Sequence, residues 1–217
     1  MSPSMSQDTP GLREQKKRET RQSISDQATR LFVERGFDAT TIADIAAASR
    51  VAKMTVTNYF PRKEDLALDH HEAFVDGPAA TVRDRRPGES ALAALRRAFL
   101  AGVDRRDPVI GFSGPVFARM VADSQTLVTR LRELHRQREE ALAEVLAAET
   151  GAGPEDIVAR VAAAQLGGVH RVLFGELQRR VLAGLGDDEA AAELAVLGRT
   201  AFGMLEPGLG DYAVRAV

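Results

Sequence analysis

The chain of 217 residues contains no cysteine. This absence excludes a disulfide framework, a metal site built on thiolates and a cysteine nucleophile. The HExxH, GxSxG and GxGxxG motifs and the Walker phosphate-binding loop are also absent from the sequence,. The sequence therefore predicts a protein that is not an enzyme and that needs no cofactor and no metal ion.

Long apolar segments are scarce. No uninterrupted apolar run approaches the roughly 18 residues that a membrane-spanning helix needs. The first residues also lack the pattern of a signal peptide. We therefore expect a protein that works in the cytoplasm and does not contact a membrane.

Charge is distributed unevenly along the chain. The formal net charge is −2, but residues 11–63 carry 11 Lys and Arg against 6 Asp and Glu, a net of +5. Residues 64–217 carry 18 against 24, a net of −6. A basic N-terminal part on an acidic remainder would orient the chain toward a polyanion. Such asymmetry also arises by chance in helical proteins, so it indicates nucleic-acid binding only beside a matching motif.

Residues 39–66 contain such a motif, two short helices joined by a tight turn. Thr41 and Asp44 have the spacing of a capping box, which predicts that the first helix begins at Thr40–Thr41,. A second helix of about two turns is predicted from Lys53 to Phe60, with Val56 and Phe60 pointing inward. A short polar helix supported by an apolar neighbour is what recognition in the DNA major groove requires. The sequence therefore predicts binding to DNA.

The segment from about Arg13 to Phe74 resembles the DNA-binding domain of the TetR family of bacterial transcriptional regulators. The residues that carry the resemblance are Ala28-Thr29-Arg30-Leu31-Phe32, Arg35-Gly36-Phe37, Thr40-Thr41-Ile42, Asp44-Ile45-Ala46, Val51, Lys53, Thr55, Asn58-Tyr59-Phe60-Pro61 and Lys63-Glu64-Asp65-Leu66. Three positions depart from the family pattern. Arg50 stands where glycine is common, which predicts left-handed backbone at a cost. Ala52 replaces a capping serine, and Thr57 replaces a common aromatic residue.

The resemblance implies a role for each matching residue. Thr40 and Thr41 would contact phosphates, which position the protein without reading sequence. Asn58 could pair with adenine, and the methyl groups of Thr55 or Thr57 could meet thymine methyls. The residues expected to project into the major groove are Lys53, Met54, Thr55, Thr57 and Asn58. Tyr59 and Lys63 would bind phosphate, although Tyr59 could instead pack in the core with only its tip exposed.

The predicted fold is all-α, with about nine helices. Residues 1–11 are expected to be a disordered tail, residues 12–75 a helix-turn-helix DNA-binding domain, and residues 76–217 a ligand-binding and dimerisation domain. The fourth helix is predicted to continue from Lys63 to about Val75, and the glycines and prolines of residues 76–88 to interrupt helical periodicity. In the long helix predicted from Ser124 to Thr150, one stripe contains Leu127, Leu131, Leu134, Arg138, Leu142 and Val145.

The last two predicted helices are Glu155 to Leu185, which is apolar on nearly all sides, and Asp187 to Leu209, which adds Leu194, Leu197, Ala201, Met204 and Leu205. One chain of this size can bury only one side of each helix. The other sides are expected to form a homodimer as a four-helix bundle, which the resemblance also implies. The alternative is a single large monomeric core.

A pocket for a small molecule is expected in the larger domain. Its predicted lining residues are Phe99, Phe117, Met120, His135 and His170, although residues of these types are more often ordinary core residues. The segments Leu205–Pro207 and Gly210–Tyr212 are similar to those of actinobacterial family members with acyl-CoA-like ligands. The resemblance implies a ligand-responsive regulator, a repressor by family default, that binds a palindromic operator as a homodimer. The alternatives are an all-α protein-interaction module or an enzyme without sequence-specific DNA binding, which steeply salt-dependent DNA binding would exclude.

Overall fold

The computed structural model describes residues 10–153 and 155–216, and over these residues the chain forms eleven α-helices and no β-strand. The predicted all-α class is confirmed, with two more helices than the nine expected. The described residues form two compact units, one ending at Asp69 and the other beginning at His70. Of the predicted tail, residues 1–9 lie outside the described residues, while Pro10 and Gly11 begin the first helix.

The N-terminal unit contains four helices, α1 (Pro10–Arg35), α2 (Ile42–Ala48), α3 (Lys53–Tyr59) and α4 (Lys63–Ala67). Helix α1 packs against α2 and α4, and α2 packs against α3. Gly36 ends α1 in the left-handed conformation (φ +85°), where its N–H donates to the carbonyl oxygen of Phe32 at 2.9 Å,. The fully buried side chains of this unit include Ile24, Ile45, Val56, Phe60 and Leu66.

The C-terminal unit contains seven α-helices, α5 (His71–Arg83), α6 (Ala91–Asp104), α7 (Gly114–Asp123), α8 (Gln125–Glu149), α9 (Ile157–Leu182), α10 (Asp187–Gly203) and α11 (Glu206–Leu209). A short 3₁₀ helix, Pro108–Ile110, precedes α7. Helix α8 packs against α5 and α9, α10 packs against α6 and α9, and α7 packs against α8 and α9. Ser90, Ser124 and Asp156 cap α6, α8 and α9 through their side chains,.

The boundary between the fourth and fifth helices differs from the prediction. Helix α4 ends at Ala67, and a separate helix α5 begins at His71 and continues through Gly77 and Pro78 to Arg83. Pro78 removes one helical N–H but is buried, as is Phe74 one turn earlier. The packing of α5 against α8 and α6 therefore outweighs the local helix-breaking signal,.

Helix α9 has a composition close to that of a membrane-spanning helix. It is long and apolar enough to cross a membrane by length and composition, with a mean hydropathy of 1.2 over an 18-residue window. The count of uninterrupted apolar runs did not select this helix, because Arg160, Gln165, His170 and Arg171 interrupt it. Within the chain, 33% of that window is buried. Core helices of soluble proteins pass the same test, because composition does not distinguish a protein interior from a lipid one.

Candidate nucleic-acid interface and buried arginine centre

Thr41 caps helix α2 in the predicted capping box. Its hydroxyl accepts from the N–H of Asp44 at 3.2 Å, and its own N–H donates to Asp44 Oδ2 at 2.9 Å. The hydroxyl of Thr41 also donates to Asp44 Oδ2 at 2.5 Å, and this bond is the largest cause of a lowered Asp44 pKa. A phosphate could bind Thr41 only by displacing Asp44. The predicted phosphate contact at Thr41 thus competes with the cap.

Thr40 cannot contact phosphate through its side chain, so that prediction was wrong. The residue is 0% exposed. Its hydroxyl donates to the carbonyl oxygens of Gly36 at 2.8 Å and Leu31 at 3.3 Å, at the end of α1. Its backbone N–H donates to the carbonyl oxygen of Phe37. Thr40 therefore joins the end of α1 to the start of α2.

Helix α3 presents a polar surface between two buried anchors. Val56 and Phe60 are 0% and 1% exposed, and they point inward as predicted. On the outer side Lys53, Met54, Thr57 and Asn58 are exposed, while Thr55 and Tyr59 are half-buried. The Thr57 hydroxyl donates back to the carbonyl oxygen of Met54 at 3.1 Å. Because the hydroxyl hydrogen is bonded within the helix, Thr57 offers a partner its methyl group and an acceptor oxygen but no donor,.

The turn between α2 and α3 has the conformation expected from Arg50. This residue has φ +58°, in the left-handed region. Its N–H donates to the carbonyl oxygen of Ala47 at 3.2 Å, and the N–H of Val51 donates to that of Ala46 at 3.0 Å. Ala52 begins α3 without a side-chain hydrogen bond, as expected for a residue that cannot cap.

Lys63 is held inside the N-terminal unit. Its Nζ donates to the carbonyl oxygens of Phe37 at 3.0 Å and Thr40 at 3.1 Å, and it lies 4.1 Å from the centroid of the Phe37 ring. These contacts fix the α1–α2 loop against the start of α4. Two of the three ammonium hydrogens are thus committed, which leaves one for a phosphate.

The basic residues of the N-terminal half of α1 have two different environments. Arg13, Lys16, Lys17 and Arg18 lie on the exposed first half of the helix. Arg21 is half-buried and its guanidinium lies 4.8 Å from the centroid of the Phe60 ring. Arg21 therefore supports the end of α3, and the four exposed residues contribute positive charge to the N-terminal unit,.

A cluster of rings lies in the core of the C-terminal unit. Phe74, His135 and Phe174 form one trio, with centroids 5.0 to 5.8 Å apart. A second trio, with centroids 5.4 to 5.9 Å apart, consists of Phe99, His170 and Phe202. All six contacts are edge-on or tilted, the arrangement that aromatic rings favour.

Arg138 joins the two trios, and we name Arg138 and His170 together the buried arginine centre. Arg138 is 5% exposed, and its guanidinium lies 4.7 Å from the centroid of the Phe74 ring. Its Nη2 lies 3.3 Å from Nδ1 of His170, which is itself 6% exposed. Neither Arg138 Nε nor His170 Nε2 has a hydrogen-bond partner among the described residues.

Burial sets the protonation of this centre and of the neighbouring His135. It lowers the pKa of His135 to about 4, helped by the charges of Arg138 and Arg171. The pKa of His170 is well below its usual range, first through burial and then through Arg138 and His135. Burial also lowers the pKa of Arg138 to about 10. At neutral pH both imidazoles are therefore neutral and the guanidinium is charged.

The sequence of the N-terminal unit matches a known family. The sequence profile of the bacterial regulatory proteins of the tetR family matches residues 24–69. The HTH-type transcriptional regulator TcmR of Streptomyces glaucescens is 34% identical over 152 residues, which is 68% of this chain and 67% of that protein. The chain belongs to the TetR family. Its members are transcriptional regulators that bind DNA and are not enzymes. The predicted family and the prediction that the protein is not an enzyme are therefore confirmed.

Two solved structures show the same fold. A putative TetR-family transcriptional regulator from Syntrophomonas wolfei superposes with a TM-score of 0.55 at 19% identity, over 86% of this chain and 96% of that one. SmeT in its complex with triclosan gives a TM-score of 0.55 at 18% identity, over 90% and 94% of the two chains. TetR-family regulators bind DNA and small-molecule effectors, and ligand complexes occur among these neighbours.

Of the predicted pocket residues, Phe99, His135 and His170 lie in the ring cluster of this TetR-family chain. Phe117 and Met120 are half-buried on α7, which packs against α8 and α9. Sequence reasoning did not select the residue that connects the cluster, Arg138, because it was counted as part of an apolar stripe. No group of three His, Asp or Glu suited to a metal ion occurs among the described residues.

Proposed function

We propose that this TetR-family regulator is a cytoplasmic repressor that binds a palindromic operator as a homodimer and is released by a small molecule. The observation that carries the proposal is the outer surface of α3, where exposed polar side chains lie between two buried anchors. A rigidly mounted polar helix is the element that reads base edges in helix-turn-helix proteins.

Asn58 is the residue we assign to base recognition. It is exposed in the last turn of α3, and an amide can form two hydrogen bonds with adenine,. The outward methyl of Thr57 suits a thymine methyl, and Lys53 at the exposed start of α3 suits a phosphate or a guanine,. Tyr59 and the remaining hydrogen of Lys63 would bind phosphate.

The exposed apolar side chains of α9 and α10 support the homodimer. Ile157, Val158, Val161 and Val172 of α9 are 47% to 66% exposed, Val196 of α10 is 56% exposed, and Met204, directly after α10, is 77% exposed. Apolar surface of this extent on two adjacent helices is typical of an interface,. A two-fold pair of such helices would bury it as a four-helix bundle.

The first experiment is selection of bound sequences from a random DNA pool with the purified protein at moderate salt. Enrichment of a palindrome is expected, and affinity should fall steeply with salt because each neutralised phosphate releases counterions. Asn58→Ala should lose affinity for the selected site but not for random DNA, by about 1–3 kcal/mol at the contacted base. Equal losses on both DNAs would remove Asn58 from the reading role, and absence of any enriched sequence would contradict the repressor proposal.

The dimer is tested by placing a charge on the exposed surface of α9. Val172→Asp should convert the dimer to monomer in sedimentation experiments and weaken binding to a palindrome. Val116→Asp is the matched control, because Val116 is 56% exposed on α7 and Val172 is 57% exposed. Dissociation by Val116→Asp alone, or by neither change, would contradict the proposed interface.

A further inference from the structure

Two arginines are buried in the C-terminal unit, and only one of them has a counter-charge. Arg85, 1% exposed, pairs with Glu149 at 2.6 Å. Arg138, 5% exposed, forms no ion pair with the described residues, and burial is the one cause of its lowered pKa. An uncompensated buried charge costs several kcal/mol in a folded protein. A bound acid would supply the missing charge, which makes Arg138 a candidate anion-binding group.

The hydrogen-bonding groups left free at the buried arginine centre are both donors. Arginine can only donate, so the contact between Arg138 Nη2 and His170 Nδ1 requires Nδ1 to accept,. His170 is neutral, so its proton lies on Nε2,. His170 Nε2 and Arg138 Nε are the two buried nitrogen atoms there that lack a partner among the described residues. The centre therefore offers two N–H donors and one positive charge, and it lacks an acceptor and a negative charge.

The surroundings of the centre are apolar and aromatic. Phe74 lies against the guanidinium of Arg138, and Phe99 and Phe202 contact the ring of His170. A ligand held there would place a charged head on Arg138 and an apolar or aromatic body against these rings.

The geometry points to a small organic acid as the ligand, with its carboxylate bound by Arg138 and His170 and its apolar body packed among Phe74, Phe99 and Phe202. The inference rests on the proposed function, since it identifies the chemical class of the effector. It excludes neutral hydrophobic molecules as the preferred ligands, because they would leave the charge of Arg138 uncompensated.

The test compares acids with their neutral amides on the full-length protein. The probes are 2-naphthoate with 2-naphthamide and octanoate with octanamide, each titrated calorimetrically in the absence of DNA. At least one acid should bind the wild type about tenfold more tightly than its amide, the effect expected of one charge-assisted contact. Arg138→Met and Arg138→Gln should both abolish the preference. Arg136→Met should keep it, because Arg136 is exposed on the same helix and pairs with Glu140.

A second measurement does not depend on the probes. Without ligand, Arg138→Met should unfold at the same urea concentration as the wild type or a higher one, because the substitution removes an uncompensated charge. Failure of Arg138→Met to fold, or a clearly lower midpoint, would show that Arg138 is retained for stability and would overturn the inference. Lack of preference for either acid, or a preference that survives in both variants, would also overturn it.

Operator binding is measured in parallel to separate this inference from the proposed function. Arg138→Met should still bind the selected DNA but should no longer be released by the acid. Acid binding without any selected operator would refute the repressor and leave the acid site standing. A selected operator without a preference for acids would support the repressor and refute the acid site.

Discussion

Replacing Arg85 with methionine should destabilise the C-terminal unit strongly. Arg85 connects three parts of this unit, since its Nη1 bonds Glu149 Oε2 and the carbonyl oxygen of Val82, both at 2.6 Å. Its Nε donates to the carbonyl oxygen of Ala213 at 3.0 Å. Helix α5, the end of α8 and the C-terminal segment are therefore fixed by one guanidinium. Methionine fills much of the volume but can replace none of these bonds.

The magnitude follows from the groups that lose a partner. Breaking a buried ion pair by removing one member costs about 3–5 kcal/mol, and the lower value applies here because the Glu149 side chain is 30% exposed and can regain water,. A loss of about 3 kcal/mol should lower the melting temperature by about 6–12 °C for a unit of this size. Circular dichroism at a fixed protein concentration measures this shift.

Arg97→Met is the matched control for this prediction. Arg97 forms two hydrogen bonds to Glu89, both at 2.8 Å, but its side chain is 42% exposed. The Glu89 side chain is 13% exposed, but Arg97 stays open to water, so the pair should contribute about 1 kcal/mol, the upper end of the range for exposed pairs, and its loss should lower the melting temperature by about 2–4 °C,. Equal shifts for Arg85→Met and Arg97→Met would refute the argument that burial of Arg85 sets the cost.

Three further predictions concern stability. Gly198→Ala places a Cβ 2.6 Å from Cε1 of Phe99 and should lower the free energy of unfolding in urea by about 1–2 kcal/mol, because the overpacking exceeds the gain in helix propensity,. Gly203→Ala is the control, because its Cβ would have no neighbour within 4 Å, and it should be neutral or slightly stabilising,. Burial lowers the pKa of His135 to about 4 in the folded protein, so its contribution to stability is complete above about pH 6.5 and is lost as the pH falls toward 4,. The free energy of unfolding should be about 1–2 kcal/mol lower at pH 5 than at neutral pH. A difference in unfolding free energy between wild type and His135→Gln that does not change with pH would contradict this prediction. Arg50→Gly should raise the stability of the N-terminal unit by about 0.5–1 kcal/mol, measured by hydrogen exchange of α2 and α3, because glycine adopts φ +58° without strain,.

The parts of the fold that local sequence signals determine were predictable. The capping box of Thr41 and Asp44 predicted the start of α2. The inward positions of Val56 and Phe60 followed from helical periodicity,. Each of these signals acts within a few residues, so no knowledge of the tertiary structure was needed.

Predictions that depended on contacts across the chain were less reliable. Thr40 and Thr41 are adjacent and identical, yet one is buried and the other caps a helix. The position of the end of α1 decides which threonine is buried, because the carbonyl oxygens of Leu31 and Gly36 accept hydrogen bonds from the Thr40 hydroxyl. Lys63 likewise reads as a surface cation until the loop carbonyls that it binds are in place. The same limitation applies to Gly77 and Pro78, which packing retains in a helix.

The buried arginine centre shows why the sequence predicted only some residues of the candidate ligand site. Phe99, His135 and His170 were selected as residue types that commonly line pockets, whereas Arg138 was read as one position of an apolar stripe. A single arginine at a buried position of such a stripe is itself the signal, because it must either pair or cost stability. Arg85 is also buried but finds Glu149, a partner 64 residues away in sequence. Sequence spacing cannot distinguish Arg85 from Arg138, because only the tertiary structure shows which of them has a carboxylate partner. Glu149 gives Arg85 a structural role, whereas Arg138 has no such partner among the described residues and can bind an acid.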